Sequence, residues 1–230
     1  MNLKVIAFDA DDTLWINEPY FEEVEHKFCA LMGDYLSHQG LSQALFTTQV
    51  NNLSMYGYGI KGYILSMIET AIKVSEGTIG VDYIEQIIQF GRELIGKPIE
   101  LIDNIEHVLK QLQGNYKLVV ATKGDLKDQQ RKLHNSGLGE YFHHIEVMAD
   151  KERINYEKLI KRLDVAPDEF MMIGNSLKSD VLPVLEMGGH AIHIPFYTTW
   201  EHEKISHQVV HENFRSFEKI TDILPLLLEK

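Results

Sequence analysis

Apolar residues along the chain form two kinds of pattern. Short continuous runs are typical of strands buried on both faces of a parallel sheet, and three- to four-residue spacing predicts amphipathic helices. The runs predict five strands, within residues 3–8, 116–122, 144–149, 170–173 and 191–194. Helical spacing lies between successive runs, so the fold class is α/β, a doubly wound parallel sheet of about five or six strands with right-handed crossovers.

The stretch between the first two predicted strands contains only helical patterns. It predicts helices from Pro19 to about Gly40, from Ser42 to Leu53, around Ile64–Ile72 and from Val81 to Leu94. Residues 55–63 contain three glycines and are expected to interrupt the second and third helices. We therefore expect residues 1–15 and 98–230 to form the α/β core, with residues 16–97 as an inserted all-helical domain.

Composition and charge narrow the classes of partner. The 230 residues carry a formal net charge of −12, and Lys and Arg form no run, so neither a nucleic-acid polymer nor a membrane is an expected partner. Cys29 is the only cysteine, which excludes an internal disulfide and fits a reducing compartment. The chain has no apolar leader and no apolar run of about 20 residues, so we expect a cytoplasmic protein. The sequence does not indicate an oligomeric state.

Three carboxylates follow the first predicted strand, at Asp9, Asp11 and Asp12. Burial and mutual repulsion would raise the pKa values of Asp9 and Asp11, so this cluster indicates that a cation binds there. Asp and Thr also favour turns and helix N-caps, and Asp12 is expected to be a turn residue rather than a third reactive group.

Polar residues also follow the other predicted strands. The second strand leads to Thr122 and Lys123, the third to Lys151, and the fourth to Asn175 and Asp180. Ligands bind at the carboxyl ends of strands in open α/β sheets, so these side chains should meet at one edge. Their chemistry suits phosphoryl transfer: one carboxylate attacks phosphorus, a second moves a proton, Mg²⁺ offsets the negative charge, and lysine and hydroxyl groups hold the phosphoryl oxygens.

Four segments resemble the motifs of the haloacid dehalogenase (HAD) superfamily. Asp9–Leu14 is similar to the first motif, Asp-x-Asp-x-Thr/Val, and Leu118–Thr122 resembles the second, an apolar strand that ends in Thr or Ser. Lys151 resembles the third-motif lysine, and Gly174–Asp180 resembles the fourth motif. The four occur in the family's order and span nearly the whole chain, and the helical insertion lies where the family inserts its C1-type cap. The resemblance therefore implies a Rossmann-like core with an all-helical cap.

The resemblance implies a Mg²⁺-dependent phosphomonoester hydrolase that forms an aspartyl-phosphate on a small phosphorylated metabolite. It implies that Asp9 is the nucleophile, that Asp11 is the general acid and base, and that Thr122 and Lys151 bind phosphate; Lys123, at the same strand end, is a third candidate phosphate ligand. The implied Mg²⁺ ligands are listed here together: Asp9, the backbone carbonyl of Asp11, Asn175 and Asp180. The family more often has Asp where Asn175 stands, so we expect weaker or differently arranged Mg²⁺ binding.

Several alternatives remain open at this point. The dehalogenating branch of the superfamily lacks an acid at the position of Asp11, whereas phosphatases and phosphomutases keep it. A signalling receiver domain would place its phosphorylated Asp after the third strand and would have no helical insertion, and an inactive phosphate-binding relative would keep the fold alone. Lys158 and Lys161 are rivals of Lys151 for the third motif, although their helical positions favour exposure to solvent.

Two further segments carry weaker signals. Tyr56, Tyr58 and Lys61 lie in the glycine-containing interruption and are candidates for contact with the leaving group of the substrate, with a purely structural helix connection as the alternative. The region from Tyr197 onward is polar, and His202, His207 and His211 within it are expected to be solvated rather than metal ligands.

Overall fold

A computed structural model of the chain describes residues 2–228. These residues divide into two compact units. The α/β unit comprises the residues up to Glu18, Ile99–Lys123 and the residues from Gln129 onward, and the helical unit comprises Pro19–Pro98 and Gly124–Asp128. Nothing in the sequence pattern indicates that residues 124–128, which follow a strand of the α/β unit, are part of the helical unit.

The α/β unit contains one six-stranded sheet in which all neighbouring strands are parallel. Its strands are β1 (Val5–Phe8), β2 (Lys117–Lys123), β3 (His144–Met148), β4 (Phe170–Gly174), β5 (His190–His193) and β6 (Phe214–Ser216). The order across the sheet is β3-β2-β1-β4-β5-β6. The predicted doubly wound α/β fold is confirmed, and the edge strand β6 is the one strand that the apolar runs did not reveal.

Helices cover both faces of this sheet. The helices of the α/β unit are α5 (Ile105–Leu112), α6 (Leu126–Ser136), α7 (Arg153–Leu163), α8 (Leu182–Glu186) and α9 (Ile223–Leu228), although α6 begins within the segment assigned to the helical unit. Ile6 and Phe8 of β1 pack in a core with α5 and α9, and Val5 and Ala7 pack in a second core with α7 and α8. Every residue of β1 is therefore buried, which explains its continuous apolar run.

The helical unit contains the helices α1 (Glu18–Leu31), α2 (His38–Tyr56), α3 (Ile60–Val74) and α4 (Val81–Gly96). Val24, Phe28, Leu45 and Met67 belong to its own core. The first helix ends earlier than predicted, and α2 begins at His38 because Ser37 caps it through a hydrogen bond from the Gly40 N–H. The interruption between α2 and α3 is only residues 57–59, shorter than predicted, with Gly57 and Gly59 at positive φ.

The strand order reverses between β1 and β4, which start the two halves of the sheet. In a doubly wound sheet the connections leave this point in opposite directions, and a crevice forms at the carboxyl ends of the two strands. Asp9 and Asp11 follow β1, and Asn175 and Asp180 follow β4, so these residues lie at the crevice. None of the helices within residues 2–228 is long and apolar enough to cross a membrane.

Candidate active site

Two buried carboxylates share one lysine at the crevice. The Lys151 ammonium donates to Asp9 Oδ1 at 2.5 Å and to Asp180 Oδ1 at 2.6 Å. Lys151 is 3% exposed, Asp9 8% and Asp180 1%, so water screens these charges poorly. Burial raises the pKa of Asp9 to about 7, against the lowering effect of Lys151. The other oxygen of Asp9 accepts no hydrogen bond from the described residues, so it is open to a ligand.

A single turn of π-helix positions Asp180. The turn spans Leu177–Val181, between β4 and α8, and the Asp180 N–H donates to the Ser176 carbonyl. The Asp180 carboxylate then turns back to accept the Ser176 N–H at 3.0 Å. Gly174 makes this possible, because a Cβ at that position would overlap the Asp180 carboxylate. The glycine of the predicted fourth motif is thus required for space rather than for backbone flexibility.

Lys151 is distinguished from its two rivals by burial. Lys158 and Lys161 lie on α7 and are exposed, whereas Lys151 precedes the helix and points at the buried acids. Burial alone would lower the pKa of Lys151, but Asp180 and Asp9 raise it above its ordinary value. Lys151 therefore stays protonated and carries the positive charge of the cluster.

Three side chains hold the carboxylate of Asp11. Its Oδ1 accepts from Trp15 Nε1 at 2.7 Å and from Lys132 Nζ at 2.9 Å. Its Oδ2 accepts from Gln129 Nε2 at 2.8 Å. Trp15 belongs to the turn that follows β1, and the other two donors lie on α6. The carboxylate next to the predicted nucleophile therefore has a fixed orientation.

Asp12 has a structural role, as the sequence indicates. Its carboxylate accepts the N–H groups of Asn17 and Glu18 at the start of α1, at 2.8 to 3.1 Å. Asp12 adopts a left-handed backbone conformation with φ of 62°. This conformation closes the turn after β1, so Asp12 helps to set the direction of the chain between β1 and α1.

Thr122 and Lys123 lie at the end of β2 and differ in their surroundings. Thr122 is 1% exposed, and its hydroxyl donates to the Lys123 carbonyl at 3.1 Å. The Lys123 ammonium instead donates to Glu203 Oε1 at 2.6 Å and to Ser179 Oγ at 2.9 Å. The charge of Lys123 is thus already paired with a carboxylate of this chain.

Glu203 is a site residue that the sequence did not reveal. Its Oε2 accepts from the hydroxyls of Ser176 and Ser179, each at 2.5 Å. The expectation of a solvated segment is wrong here, although it holds for the exposed His207 and His211. A 3₁₀ turn at Glu201–Glu203 brings the side chain back to the residues that follow β4. No periodic apolar pattern marks this turn, which is why sequence reasoning missed it.

Replacing Glu203 by Gln is expected to destabilise the α/β unit by about 1–3 kcal/mol at neutral pH, since Lys123 loses a partly buried ionic partner. Burial alone would raise the pKa of Glu203, but Lys123 and the two serines lower it from 4.5 to about 2. The carboxylate therefore stabilises the fold above its ordinary pKa, and this contribution disappears as pH falls toward 2. Urea unfolding of both proteins should give a constant difference near neutrality that shrinks below pH 4.5.

The donor atoms at the crevice fit a hard divalent cation. With both carboxyl groups ionised, Lys151, Asp9 and Asp180 have a formal net charge of −1 in a buried setting, and a cation would offset it. Asn175 lies beside them, and its Oδ1 accepts weakly from Thr13 Oγ1 at 3.4 Å. Within residues 2–228, no three His, Cys, Asp or Glu side chains form a metal site of their own. A metal here would therefore also need amide or backbone carbonyl oxygens, such as those of Asn175 and Asp11.

The candidates for substrate contact belong to the helical unit. The Tyr56 hydroxyl donates to Glu69 Oε1 at 2.5 Å, and the Lys61 ammonium pairs with Asp125 at 2.8 Å. Tyr58 lies in the short connection between α2 and α3. Their contact with a substrate stays a prediction.

Comparison with known proteins identifies the family. A family model described as haloacid dehalogenase-like hydrolase matches residues 3–188. The chain belongs to the haloacid dehalogenase-like hydrolases. The match contains all four motif segments, and membership in this family excludes the receiver-domain alternative.

Solved structures of HAD-like hydrolases share the fold. One from Xanthomonas campestris is 35% identical, with a TM-score of 0.87 over 98% of this chain and 90% of that one. The putative HAD-hydrolase YfnB from Bacillus subtilis, bound to magnesium, is 17% identical, with a TM-score of 0.67 over 99% and 100%. A dehalogenase with an intermediate complex is 15% identical, with a TM-score of 0.69 over 100% and 99%. No curated protein matches the chain.

Within this HAD-like hydrolase, the structure brings the predicted residues Asp9, Lys151 and Asp180 into direct contact and adds residues that were not predicted. Lys151 joins Asp9 to Asp180, and Asp11 lies two residues beyond Asp9. The additions are Gln129, Lys132 and Glu203, none of which belongs to the four motifs. The sequence of α6 contains a signal for Gln129 and Lys132. This helix has hardly any apolar residues, so the face that it buries must include polar ones.

Proposed function

We propose that this hydrolase removes phosphate from small phosphorylated metabolites, with Mg²⁺, through an aspartyl-phosphate on Asp9. The observation that carries the proposal is the carboxylate of Asp11, held in place two residues after the nucleophile. Cleavage of a phosphate ester leaves a negatively charged oxygen on the leaving group, and a proton from an acid stabilises it. Cleavage of a carbon–halogen bond releases a halide ion, which needs no proton. A partly buried and oriented acid at this position therefore favours phosphate esters over halogenated acids.

In the first half of the reaction, the open oxygen of Asp9 attacks phosphorus. Lys151 holds the other oxygen of Asp9 and keeps the carboxylate oriented toward the crevice. The bond between phosphorus and the ester oxygen breaks, and that oxygen takes a proton from Asp11. Thr122 and backbone N–H groups at the strand ends offer hydrogen bonds to the phosphoryl oxygens.

In the second half, water hydrolyses the aspartyl-phosphate. Asp11, now a carboxylate, takes a proton from the attacking water, and the bond between phosphorus and the Asp9 oxygen breaks. Inorganic phosphate leaves, and both carboxyl groups return to their starting states. Asp11 thus acts as acid and then as base in one turnover.

Mg²⁺, when bound, would neutralise the phosphoryl group next to two buried carboxylates and so let a dianion approach. Asp9, the Asp11 carbonyl, Asn175 and Asp180 are the groups available to hold it. One of the solved relatives is bound to magnesium, which supports the same choice here. Both oxygens of Asp180 already accept hydrogen bonds, from Lys151 and the Ser176 N–H, so Asp9 and Asn175 are the freer donors.

The test is a paired assay of phosphate and halide release. We expect the purified protein with Mg²⁺ to release phosphate from 4-nitrophenyl phosphate and to release no chloride from 2-chloropropionate. Removal of the metal with EDTA should lower phosphate release by roughly 100-fold or more, and added Mg²⁺ should restore it. Chloride release without phosphate release would contradict the proposal, and the absence of both would indicate an inactive relative. Phosphate release from a panel of phosphorylated metabolites would then identify the substrate class.

A further inference from the structure

Helix α6 buries polar side chains where a helix normally buries apolar ones. Its buried residues are Gln129 and Lys132, which are 2% and 7% exposed. They are three residues apart and so lie on one face of the helix. Burial of an ammonium group is costly unless the group is paired and hydrogen-bonded. Core packing therefore does not explain why these two polar side chains are buried on this face of α6.

Both side chains meet at the carboxylate of Asp11 and are fixed on their far sides as well. Lys132 donates to Asp11 Oδ1 and, at 2.7 Å, to Asn17 Oδ1. Gln129 donates to Asp11 Oδ2 and, at 2.9 Å, to the backbone carbonyl of Lys123 at the end of β2. Each donor has two anchored acceptors, so the position of Asp11 is set relative to the turn after β1 and to β2.

The orientation of the Gln129 amide is decided by its neighbours. Its nitrogen faces two oxygen acceptors, and the reverse orientation would bring its own oxygen against both of them. In the observed orientation the buried Oε1 has no hydrogen-bond partner among residues 2–228. An unpaired buried acceptor is unfavourable, and its presence here shows how strongly Asp11 and the Lys123 carbonyl determine the side chain.

The two oxygens of Asp11 are thus unequally occupied. Oδ1 accepts from both Trp15 and Lys132, whereas among residues 2–228 only Gln129 donates to Oδ2. A carboxylate oxygen has two lone pairs for hydrogen bonds, so Oδ1 is fully occupied and Oδ2 keeps one position. A proton carried by Asp11 fits on Oδ2.

We propose that Gln129 and Lys132 are positioning residues that make Oδ2 of Asp11 the oxygen that exchanges protons with the substrate. The inference rests on the proposed function, in which Asp11 is the acid and base. When the ester bond breaks, the leaving oxygen takes the proton from Oδ2, and Oδ2 later takes a proton from the attacking water. Lys132 and Trp15 act by holding Oδ1, and Gln129 acts by orienting Oδ2; none of them touches the substrate in this role.

The test compares two substrates that differ in how much the leaving group needs a proton. Phenolate is a poorer leaving group than 4-nitrophenolate, so phenyl phosphate gains more from a positioned acid. The ratio kcat/KM covers steps only up to release of the leaving group, so it isolates this proton transfer from the later hydrolysis. We expect Gln129→Leu and Lys132→Met to lower kcat/KM for phenyl phosphate about 10-fold more than for 4-nitrophenyl phosphate.

Matched controls exist on the same helix. Gln130→Leu and Lys127→Met make the same chemical changes at exposed positions and should leave the ratio between the two substrates unchanged. Lys132→Arg keeps the charge and the donors and should stay closer to the wild type than Lys132→Met. Thermal unfolding of every variant would report general damage, and Gln129→Leu keeps the test decisive where Lys132→Met fails to fold.

The outcomes separate this inference from the proposed function. Equal losses of kcat/KM for both substrates in Gln129→Leu and in Lys132→Met would overturn the positioning role and leave the phosphatase proposal standing. A wild-type protein that hydrolyses neither substrate would contradict the proposed function itself. A selective loss with phenyl phosphate that Asp11→Asn reproduces would support both.

Discussion

Asp9→Asn is expected to lower the turnover of 4-nitrophenyl phosphate by roughly 10⁴-fold or more, because the amide cannot form the aspartyl-phosphate. The variant should fold, since burial already raises the pKa of Asp9 to about 7 and a neutral side chain suits that setting. The measurement is Mg²⁺-dependent release of 4-nitrophenol, with thermal unfolding as the check on folding.

The matched control for this substitution is Asp103→Asn, which makes the same change at an exposed position of the α/β unit. Asp103→Asn should keep wild-type turnover within about twofold. A folded Asp9→Asn protein that retains full activity would show that another group attacks phosphorus. Detection of phosphate that hydroxylamine releases from the wild type, and its absence from Asp9→Asn, would support the aspartyl-phosphate intermediate directly.

Lys151→Met is expected to reduce both stability and turnover. Removing the lysine leaves Asp9 and Asp180 buried without a partner, which costs about 3–5 kcal/mol in comparable buried pairs. Burial raises the pKa of Asp9 and Lys151 lowers it, so Asp9 should bind a proton more readily in the variant. A carboxyl group whose pKa is higher in the folded state than in the unfolded state makes the fold less stable as pH rises. The loss of stability in Lys151→Met should therefore be larger at about pH 8 than at about pH 5.

Urea unfolding of wild type and Lys151→Met in EDTA, at both pH values, would measure this effect. Lys158→Met is the matched control, since that lysine is exposed on α7 and its loss should change stability by about 0.5 kcal/mol or less. The double variant Lys151→Met with Asp180→Asn removes one of the two buried carboxylates that Lys151→Met leaves without a cationic partner. It should recover part of the lost stability. A Lys151→Met protein as stable as the wild type at both pH values would mean that the lysine does not balance these acids.

The central part of the site could be predicted because its residues stand next to strand ends. Asp9 follows β1, Lys151 follows β3 and Asp180 follows β4, and parallel strands bring their carboxyl ends to one edge. The buried runs of these strands are strong sequence signals. Position along the chain was therefore enough to place the three charges in one cluster. The hydrogen bonds between them could not be predicted from position alone.

Other features had no comparable signal in the sequence. Glu203 reaches Lys123 from a short turn 80 positions later, with no periodic pattern around it. Strand β6 has three residues, two of them exposed, so it forms no apolar run. The π turn before α8 also left no mark in the apolar spacing, because its role is to direct the Asp180 carboxylate rather than to bury an apolar face.

The pairing of β1 with β2 has a consequence for how the chain tolerates change. Phe8 pairs with Val120, although the whole stretch Pro19–Pro98 lies between them in the sequence. The entropy of closing such a loop grows only with the logarithm of its length, by about 0.6 kcal/mol for each doubling. The length of chain between Glu18 and Ile99 therefore contributes little to the free energy of pairing β1 with β2. Changes in that length that leave the core of the helical unit intact should be tolerated by the sheet, whereas changes at the buried core positions of that unit should not.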